Sequence, residues 1–542
     1  MKRILVLAVL WFGFLLLPDC LIAEEVAMRP QEHIAGVLFY PQNLPLLTVA
    51  PQYNPALLSS QQSVPADTRL LEWIRHNVSP RTGLFLSFEV PQEDKSSVYA
   101  GMGQADSVSG IIERVIVENG LVIYDGAVAQ IALLLSGRDE DLLLASRPLE
   151  IYWEGRVGRL SNIRAGYERD NFVYAPADPG AVVSDLERKG ERGFIFRIIN
   201  AHGEYLSADP LDGKTEFAGF PTWPAIHWED WKPVAGENAW VVMAAMQLFH
   251  RKHYDPQAHS YVFPAEPSIE LQLAEELARA ALLLQDSNGG IRMAPQGTYS
   301  EHDPQSQSSA RSWWYDQISV ENNFSWYGAL RMLFVVTGKP VYGEALVRME
   351  KFFQLVFDRD GQYFYQGMVS IDGEWRPNRK DFAVDVQTWG ILALGPEKID
   401  EWFGDGAALR AWQAAREFSG SRDSNGALLG VGFTKETGRV SVEWTAGAIM
   451  AVRALAEYYQ AKDSRLEQEL RREADEMRKA METLRRDFDN GRAAYAYSSR
   501  RDWIPFGWNS HDPRVMSLAA TGWIIFVDAG QNPFNLYKKT TP

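Results

Sequence analysis

The chain has 542 residues, 46% of them hydrophobic, enough for one large core or a few smaller ones. Its net charge of −16 argues against a nucleic-acid partner, because phosphate binding needs a basic footprint. Eighteen Trp, 21 Tyr and 26 Phe supply flat apolar faces for a core and also for stacking on ligands.

Residues 1–23 have the layout of a cleavable signal peptide: Lys2 and Arg3, the apolar run Ile4–Leu17, and a cleavage site at Leu21, Ile22 and Ala23. The apolar run is short for a membrane anchor. Asp19 stands before Cys20 where a lipobox takes a small residue, which argues against a lipoprotein. Cys20 is the only cysteine, so cleavage at Ala23 leaves no thiol for a disulfide, a metal site or a nucleophile. The later sequence has no uncharged apolar run of membrane-spanning length. The mature protein is therefore expected in the periplasm or outside the cell, without a stable membrane anchor. Residues 24–65, rich in Pro and Gln, read as an extended N-terminal arm.

From Ala66 onward two kinds of helix alternate. One kind is charged on one face: Asp67–Asn77, Glu140–Trp153, Ser268–Gln285, Tyr342–Phe357, Ala407–Phe418 and Arg465–Arg486. The other is apolar nearly all round: Gly126–Leu135, Ala239–Phe249, Phe324–Val336, Val386–Leu394, Ala446–Ala456 and Leu518–Val527. A helix without a polar face must be enclosed by other protein, so these are the inner helices. The outer helices run into turns of Asp or Asn with Gly: Asp286 to Gly290, Asp358 to Gly361, Asp423 to Gly426 and Asp489 to Gly491, with Ser79 to Gly83 a looser first copy. Glycine is expected to stop each helix in the left-handed conformation, and the recurrence predicts an array of helical hairpins. These turns lack the ligand spacing and closing Glu of an EF-hand loop. Links from inner to outer helices are short, as at Ser136–Asp139 and Gly338–Val341. Links from outer to inner are long: 78–123, 154–236, 286–319, 358–383, 419–441 and 487–515. The long links therefore gather at the end where the inner helices begin, and such clustered loops are where binding sites are built.

That end is also polar. The inner helices begin with Tyr124 and Asp125; Glu237, Asn238 and Trp240; Glu321, Asn322 and Asn323; Asp385, Gln387 and Trp389; and Glu443 and Trp444. The sixth has Ser517, Thr521 and Trp523 and no acid. Six alternating hairpins with these helix starts resemble the six-hairpin (α/α)6 toroid, an all-α fold. Many glycoside hydrolases, some glycan phosphorylases, polysaccharide lyases and sugar epimerases share it. The resemblance covers about residues 66–534. It implies one toroid over 66–542, with 154–236 as a long loop insertion and a glycan bound in a bowl at the inner-helix N-termini.

Two readings of the acids compete. Acids in a first turn complement the helix dipole and bind free N–H groups, so capping accounts for any one of them. Capping does not ask for Asn, Gln and Trp beside each acid, whereas a sugar does. On the sugar reading the catalytic candidates are Glu321, Asp125, Asp385, Glu237 and Glu443. The substrate-binding candidates are Tyr124, Asn238, Trp240, Asn322, Asn323, Gln387, Trp389, Trp444 and Trp508. Glycoside hydrolysis needs one carboxyl to protonate the leaving oxygen and another to activate water or attack carbon. In a ring of six, Asp125 faces Asp385 and Glu237 faces Glu443. Glu321, in the most polar start, is the expected proton donor, with Asp125 or Asp385 as base. The resemblance implies inversion at the anomeric carbon.

The loop aromatics Trp223, Trp228, Trp231, Trp313, Trp314, Tyr315, Trp503 and Trp508 form either a stacking wall or packing of loops onto the toroid. A polysaccharide lyase is an alternative. It would take a Tyr or His base and an Arg to neutralise a uronate. Tyr124, Arg311, Arg379 and the loop residues His202, His227, His302 and His511 are available for those roles. A non-catalytic glycan-binding protein of an exopolysaccharide system is a third reading. No HExxH, GxSxG, Walker or dinucleotide motif stands in a supporting context, so neither cofactor nor metal is expected. The charged helix Arg465–Arg486 reads as a solvated outer face rather than a coiled-coil partner.

Overall fold

The computed structural model describes residues 67–80, 82–102, 108–156, 194–195, 197–202, 227–230, 234–294, 314–506 and 508–537, all within one compact unit, Leu44–Pro542. The expected signal peptide, the N-terminal arm, most of the 154–236 insertion with Trp223 and Trp231, and His302, Arg311 and Trp313 lie outside the described residues. The helices in chain order are α1 (Thr68–His76), α2 (Lys95–Gly101), α3 (Val108–Asn119), α4 (Ile123–Leu134) and α5 (Asp139–Arg156), then α6 (Ala235–His253), α7 (Ile269–Leu283), α8 (Val320–Thr337), α9 (Pro340–Leu355) and α10 (Val384–Leu394), and finally α11 (Pro396–Phe403), α12 (Ala407–Ser419), α13 (Val442–Tyr459), α14 (Ser464–Met481) and α15 (Leu518–Ala529). Local chemistry sets their ends. Asp67, Ser268 and Asp463 cap α1, α7 and α14 by accepting from first-turn N–H groups. Gly338, left-handed at φ 65, closes α8, and Pro340 opens α9.

The apolar helices α4, α6, α8, α10, α13 and α15 are buried around most of their circumference. Each packs on the next in this order, and α15 returns to α4, which closes a ring of six. The amphipathic helices line the outside: α5 on α4, α7 on α6, α9 on α8, α12 on α10, α14 on α13, and α1 across α15 and α4. Helix α14 turns Leu470, Ala474, Met477 and Met481 inward and its charges outward. This is the (α/α)6 toroid.

The turns of Asp or Asn with Gly do a different job from the one expected. The outer helix has already ended when the turn begins, and the turn closes a short β-hairpin. After α9, Phe357–Asp358 pairs with Tyr363–Phe364, and Asp358 Oδ1 accepts from Asp360 N and Gly361 N across the tip, at 3.1 and 3.0 Å. After α12, Gly420–Arg422 pairs with Leu428–Val431 around Gly426, at φ 86. After α14, Arg485–Asp487 pairs with Ala493–Tyr495 around Gly491, at φ 78. Gly supplies the positive φ that a tight hairpin needs.

The ring's axis is filled. The sixth residue of alternate inner helices is Trp: Trp240, Trp389 and Trp523. On the intervening helices it is Val128, Ser325 or Gly447. The three indoles meet with ring centroids 5.3, 5.6 and 5.8 Å apart. A Cβ on Gly447 would stand 3.3 Å from Trp389 Nε1, so the small residue makes room for the large one. Phe534, from the C-terminal segment, lies 5.5 Å from both Trp240 and Trp389. Arg331 fixes that segment by donating to Phe534 O and Asn535 Oδ1, at 3.0 and 2.5 Å.

Candidate active site

Five carboxyls stand at the first turns of five consecutive inner helices, above this indole floor. Asp125, Asp385 and Glu443 are buried; Glu237 and Glu321 are half-buried. Burial raises the Glu321 carboxyl well above its ordinary range. Asp385, Glu237 and Glu443 repel its charged form further, against a hydrogen bond from Ser325 Oγ to Oε1 at 3.1 Å. Asp385 is raised to about 8, mainly by burial and then by Glu443, with the Val386 N–H opposing. Burial raises Glu443 to about 7, and the Tyr124 hydroxyl, donating to Oε1 over 2.5 Å, restrains it. Asp125 is raised well above the carboxylate range by burial, with Ser87 lowering it and Glu443 and Glu237 adding repulsion. Asp385, Glu237 and Glu443 thus act on Glu321, and Glu443 and Glu237 on Asp125, so all five candidates face one well. Among the described residues Glu237 differs from the other four in forming an ion pair: its Oε1 lies 2.8 Å from Arg197 Nη2.

Capping does not explain these acids. The N-cap bonds of α8, α13 and α15 come from Ser319, Ser441 and Ser517, which accept from Asn322 N, Trp444 N and Ala520 N. The N-caps of α4, α6 and α10 make no side-chain bond. Asp385 does accept from a first-turn N–H, that of Val386, at 2.7 Å.

Several expected substrate contacts instead serve the chain itself. The fourth residue of five inner helices clamps the strand that precedes it. Asn323 accepts from Ile291 N at 2.7 Å and donates to Ile291 O and Ser319 O at 2.9 and 2.8 Å. Gln387 does the same to Phe364 and Ala383. Asn238 does it to Ile195 and Val234. Thr445 Oγ1 accepts from Val431 N and donates to Val431 O, and Thr521 Oγ1 accepts from Tyr495 N. Asn238, Asn323 and Gln387 are 0% exposed with their amides occupied, so they are corrected from sugar ligands to structural clamps. Trp240 and Trp389 are likewise corrected. They build the indole floor at 1% and 4% exposure and offer no open face. Asn322 is buried against α6, and a Cβ on Gly236 would lie 2.1 Å from its Oδ1. Tyr124, half-buried, receives Trp523 Nε1 at 2.7 Å while donating to Glu443. Trp444 is buried beside Glu443, against Phe433 and Phe506, and Trp508 is half-buried on the rim.

Of the loop residues, Trp314 packs with Val234 and Ala294, so for it packing is the correct reading. Arg292 lies over the Tyr315 ring. His202 Nδ1 meets Ser79 Oγ at 3.0 Å, and His511 Nδ1 meets Glu113 Oε1 at 3.1 Å. Sequence reading missed Arg197, Ser87, Ser325, Phe506 and Tyr497. Burial first, then Glu443, Asp125 and Asp385, raises the Tyr497 hydroxyl well above its ordinary range. Ser325 follows Glu321 by one helical turn, so periodicity could have revealed it. Among the described residues no group of His, Cys, Asp or Glu is arranged to hold a metal ion, and no helix is long and apolar enough to cross a membrane.

No protein-family profile and no curated protein sequence matches the chain. Solved structures similar to it include a sugar epimerase from a ruminal bacterium, with 11% identity and a TM-score of 0.48 over 85% of this chain and 95% of that one. An α-1,6-mannanase from Salegentibacter sp. matches at 11% identity and a TM-score of 0.43, over 86% and 98%. Cellobiose 2-epimerase from Bacillus thermoamylovorans matches at 10% and 0.47, over 85% and 96%. At such low identity, and with TM-scores below 0.5, these similarities transfer no activity and no residue role to this chain.

Proposed function

We propose that the chain is a secreted glycoside hydrolase that cleaves a poly- or oligosaccharide with inversion, Glu321 acting as general acid and Glu237 as general base. The supporting observation is the division among the five acids. Four are pushed toward the protonated form, whereas Glu237 lies against a guanidinium, which stabilises a carboxylate. Two carboxyls whose surroundings drive their protonation apart are what acid–base cleavage of a glycoside requires.

In this mechanism Glu321 gives its proton to the glycosidic oxygen as the bond from that oxygen to the anomeric carbon breaks. Glu237 takes a proton from a water that adds to the same carbon from the opposite face. Solvent then returns a proton to Glu321 and removes one from Glu237. Asp125 and Asp385, the bases expected from sequence, suit the role less well. A base must be ionised, whereas burial favours the protonated form of Asp125 and raises Asp385 to about 8. As neutral acids they donate to sugar hydroxyls.

The lyase reading finds less support. Uronate elimination needs a cationic site, and among the described residues the acids share Arg197, which Glu237 already pairs. Tyr124 is a poor base, because burial and Glu443 keep its proton on. Arg379 is exposed, over the ring of Tyr365.

The test is a panel of neutral and acidic polysaccharides, read for new reducing ends, for the anomer first released, for epimerised sugar and for ultraviolet-absorbing unsaturated ends. Glu321→Gln and Glu237→Gln should fold and lose turnover. Near-native rates in both variants would falsify the assignment, and unsaturated or epimerised products would replace hydrolysis with another reaction. Export rests on the signal-peptide pattern of residues 1–23. Protein recovered from the periplasm or medium should begin at Glu24, and retention in the cytoplasm would refute secretion.

A further inference from the structure

A short rim hairpin stands beside Glu443. Its strands Trp503–Ile504 and Trp508–Asn509 pair Trp503 with Asn509 and Ile504 with Trp508. Directly paired residues share a face, so Trp508 and Trp503 point to opposite sides. The outer side carries Trp503, 58% exposed, and Asn509, which donates to Glu113 Oε2 at 3.1 Å. The inner side carries Trp508, which joins an aromatic row leading to the acids. Its ring centroid is 6.0 Å from Phe506, and Phe506 is stacked on Trp444 at 6.2 Å and 22°. Trp444 adjoins Glu443 in the chain.

Two features separate this row from ordinary loop packing. First, Phe506 and Trp508 remain half-buried, whereas Trp444 is closed off. Second, the hairpin is braced. Ser510 Oγ accepts from Asp502 N and Arg439 Nη1, at 2.9 and 3.2 Å. Ser498 Oγ donates to Ser510 O at 2.7 Å. Trp508 Nε1 donates to Tyr497 OH at 2.9 Å, which fixes the plane of the indole. The Tyr497 phenol in turn lies within the field of Glu443, Asp125 and Asp385. Rigid aromatics held partly open beside a polar well suit a ligand with flat apolar faces and a hydroxylated edge.

We infer that the inner face of the 503–509 hairpin, through Trp508 and Phe506, is a stacking subsite for a second sugar ring. The substrate is then an oligosaccharide or longer chain rather than a single sugar. This inference rests on the hydrolase reading for the position of the reacting ring, but it is tested by binding alone.

The experiment is titration calorimetry on Glu321→Gln protein, with mono- to tetrasaccharides of the gluco-, manno-, galacto-, xylo- and chito-series. In a series that binds, affinity rises on going from one ring to two. Trp508→Ala removes that rise, a loss of roughly tenfold for the disaccharide, and leaves the monosaccharide unchanged. Trp508→Phe, which keeps a ring without the bond to Tyr497, retains part of the rise. Trp503→Ala, on the opposite face, keeps it whole. The subsite is overturned if Trp508→Ala binds like its parent, if Trp503→Ala loses as much, or if no series binds. Binding that depends on Trp508 in a protein that hydrolyses nothing would keep the subsite and remove the hydrolase reading. Hydrolysis indifferent to Trp508 would do the reverse.

Discussion

Asp385→Asn tests the electrostatics of the site directly, because it removes one carboxyl and keeps its shape. Asp385 is the neighbour whose charge most opposes ionisation of Glu321. Two like charges roughly 6–8 Å apart in an effective dielectric near 20 repel by about 2–3 kcal/mol. That is about 1.5–2 pH units of displaced titration. In the proposed mechanism Glu321 acts in its protonated form, so its ionisation would set the high-pH limb of kcat/KM. Without Asp385 it ionises more readily, and the limb moves to lower pH by that amount. Asp385 itself titrates at about 8, so the native limb reflects a pair sharing protons and is broad, whereas the variant's limb fits a single ionisation. The assay is the pH profile of kcat/KM on a glycan the native enzyme turns over, with circular dichroism to confirm folding. A limb that stays in place, or moves to higher pH, would refute the assignment of Glu321 as the acid.

Three further outcomes concern stability. Asp385 is raised from 3.8 to about 8 and Glu443 from 4.5 to about 7, so the folded chain keeps protons that the unfolded chain releases. This contribution is full below the unfolded values and is lost as pH rises through the folded ones. Tm should therefore fall between roughly pH 5 and pH 8. Asp385→Asn should raise Tm at the upper end and flatten the slope; a native Tm that climbs across this window contradicts the shifts. Asn323→Ala strips partners from a buried N–H and two buried carbonyls. It should cost about 2–4 kcal/mol in urea unfolding, and a cost well below 1 kcal/mol would show that the clamp is dispensable. Gly289→Ala combines φ 94 with a Cβ placed 2.0 Å from Arg348 O. It should cost roughly 3 kcal/mol or more, and a Tm near native would mean that this turn relaxes freely.

The ring of helices was legible because an all-round apolar run of helical length has few other uses. Gly126–Leu135 was expected and Ile123–Leu134 is found; Leu518–Val527 was expected and Leu518–Ala529 is found. The hairpins were not, because the Asp/Asn–Gly signal serves equally to end a helix and to turn a strand. The amides went wrong for a geometric reason. At about 100° per residue, the second and fourth positions of a helix point to nearly opposite sides, whereas the second and sixth nearly coincide. Glu321 and Asp385, second in their helices, therefore share a face with Ser325 and Trp389, and Asn323 and Gln387 turn away toward their hairpins. That much was calculable from spacing. Arg197 and Ser87 were not, since they reach the acids from separate loops and no periodicity links them to Glu237 or Asp125.

The same angular relation weighs against a binding-only protein. Trp389 lies one turn beneath Asp385 on the same face, and with Trp240 and Trp523 it keeps water out of the ring below the acids. Burial is accordingly the first cause of the shift at Asp125, Glu321, Asp385 and Glu443. The helix starts make no compensating demand for these carboxyls, because serine caps and amide or threonine clamps already occupy much of the nearby backbone. Amides in the acids' places would bind sugar hydroxyls equally well and leave stability independent of pH. Buried carboxyls instead make the fold less stable as pH rises toward neutrality and beyond. Holding four of them beside an ion-paired fifth is intelligible where a proton must be donated and another taken, which is the demand of catalysis and not of recognition.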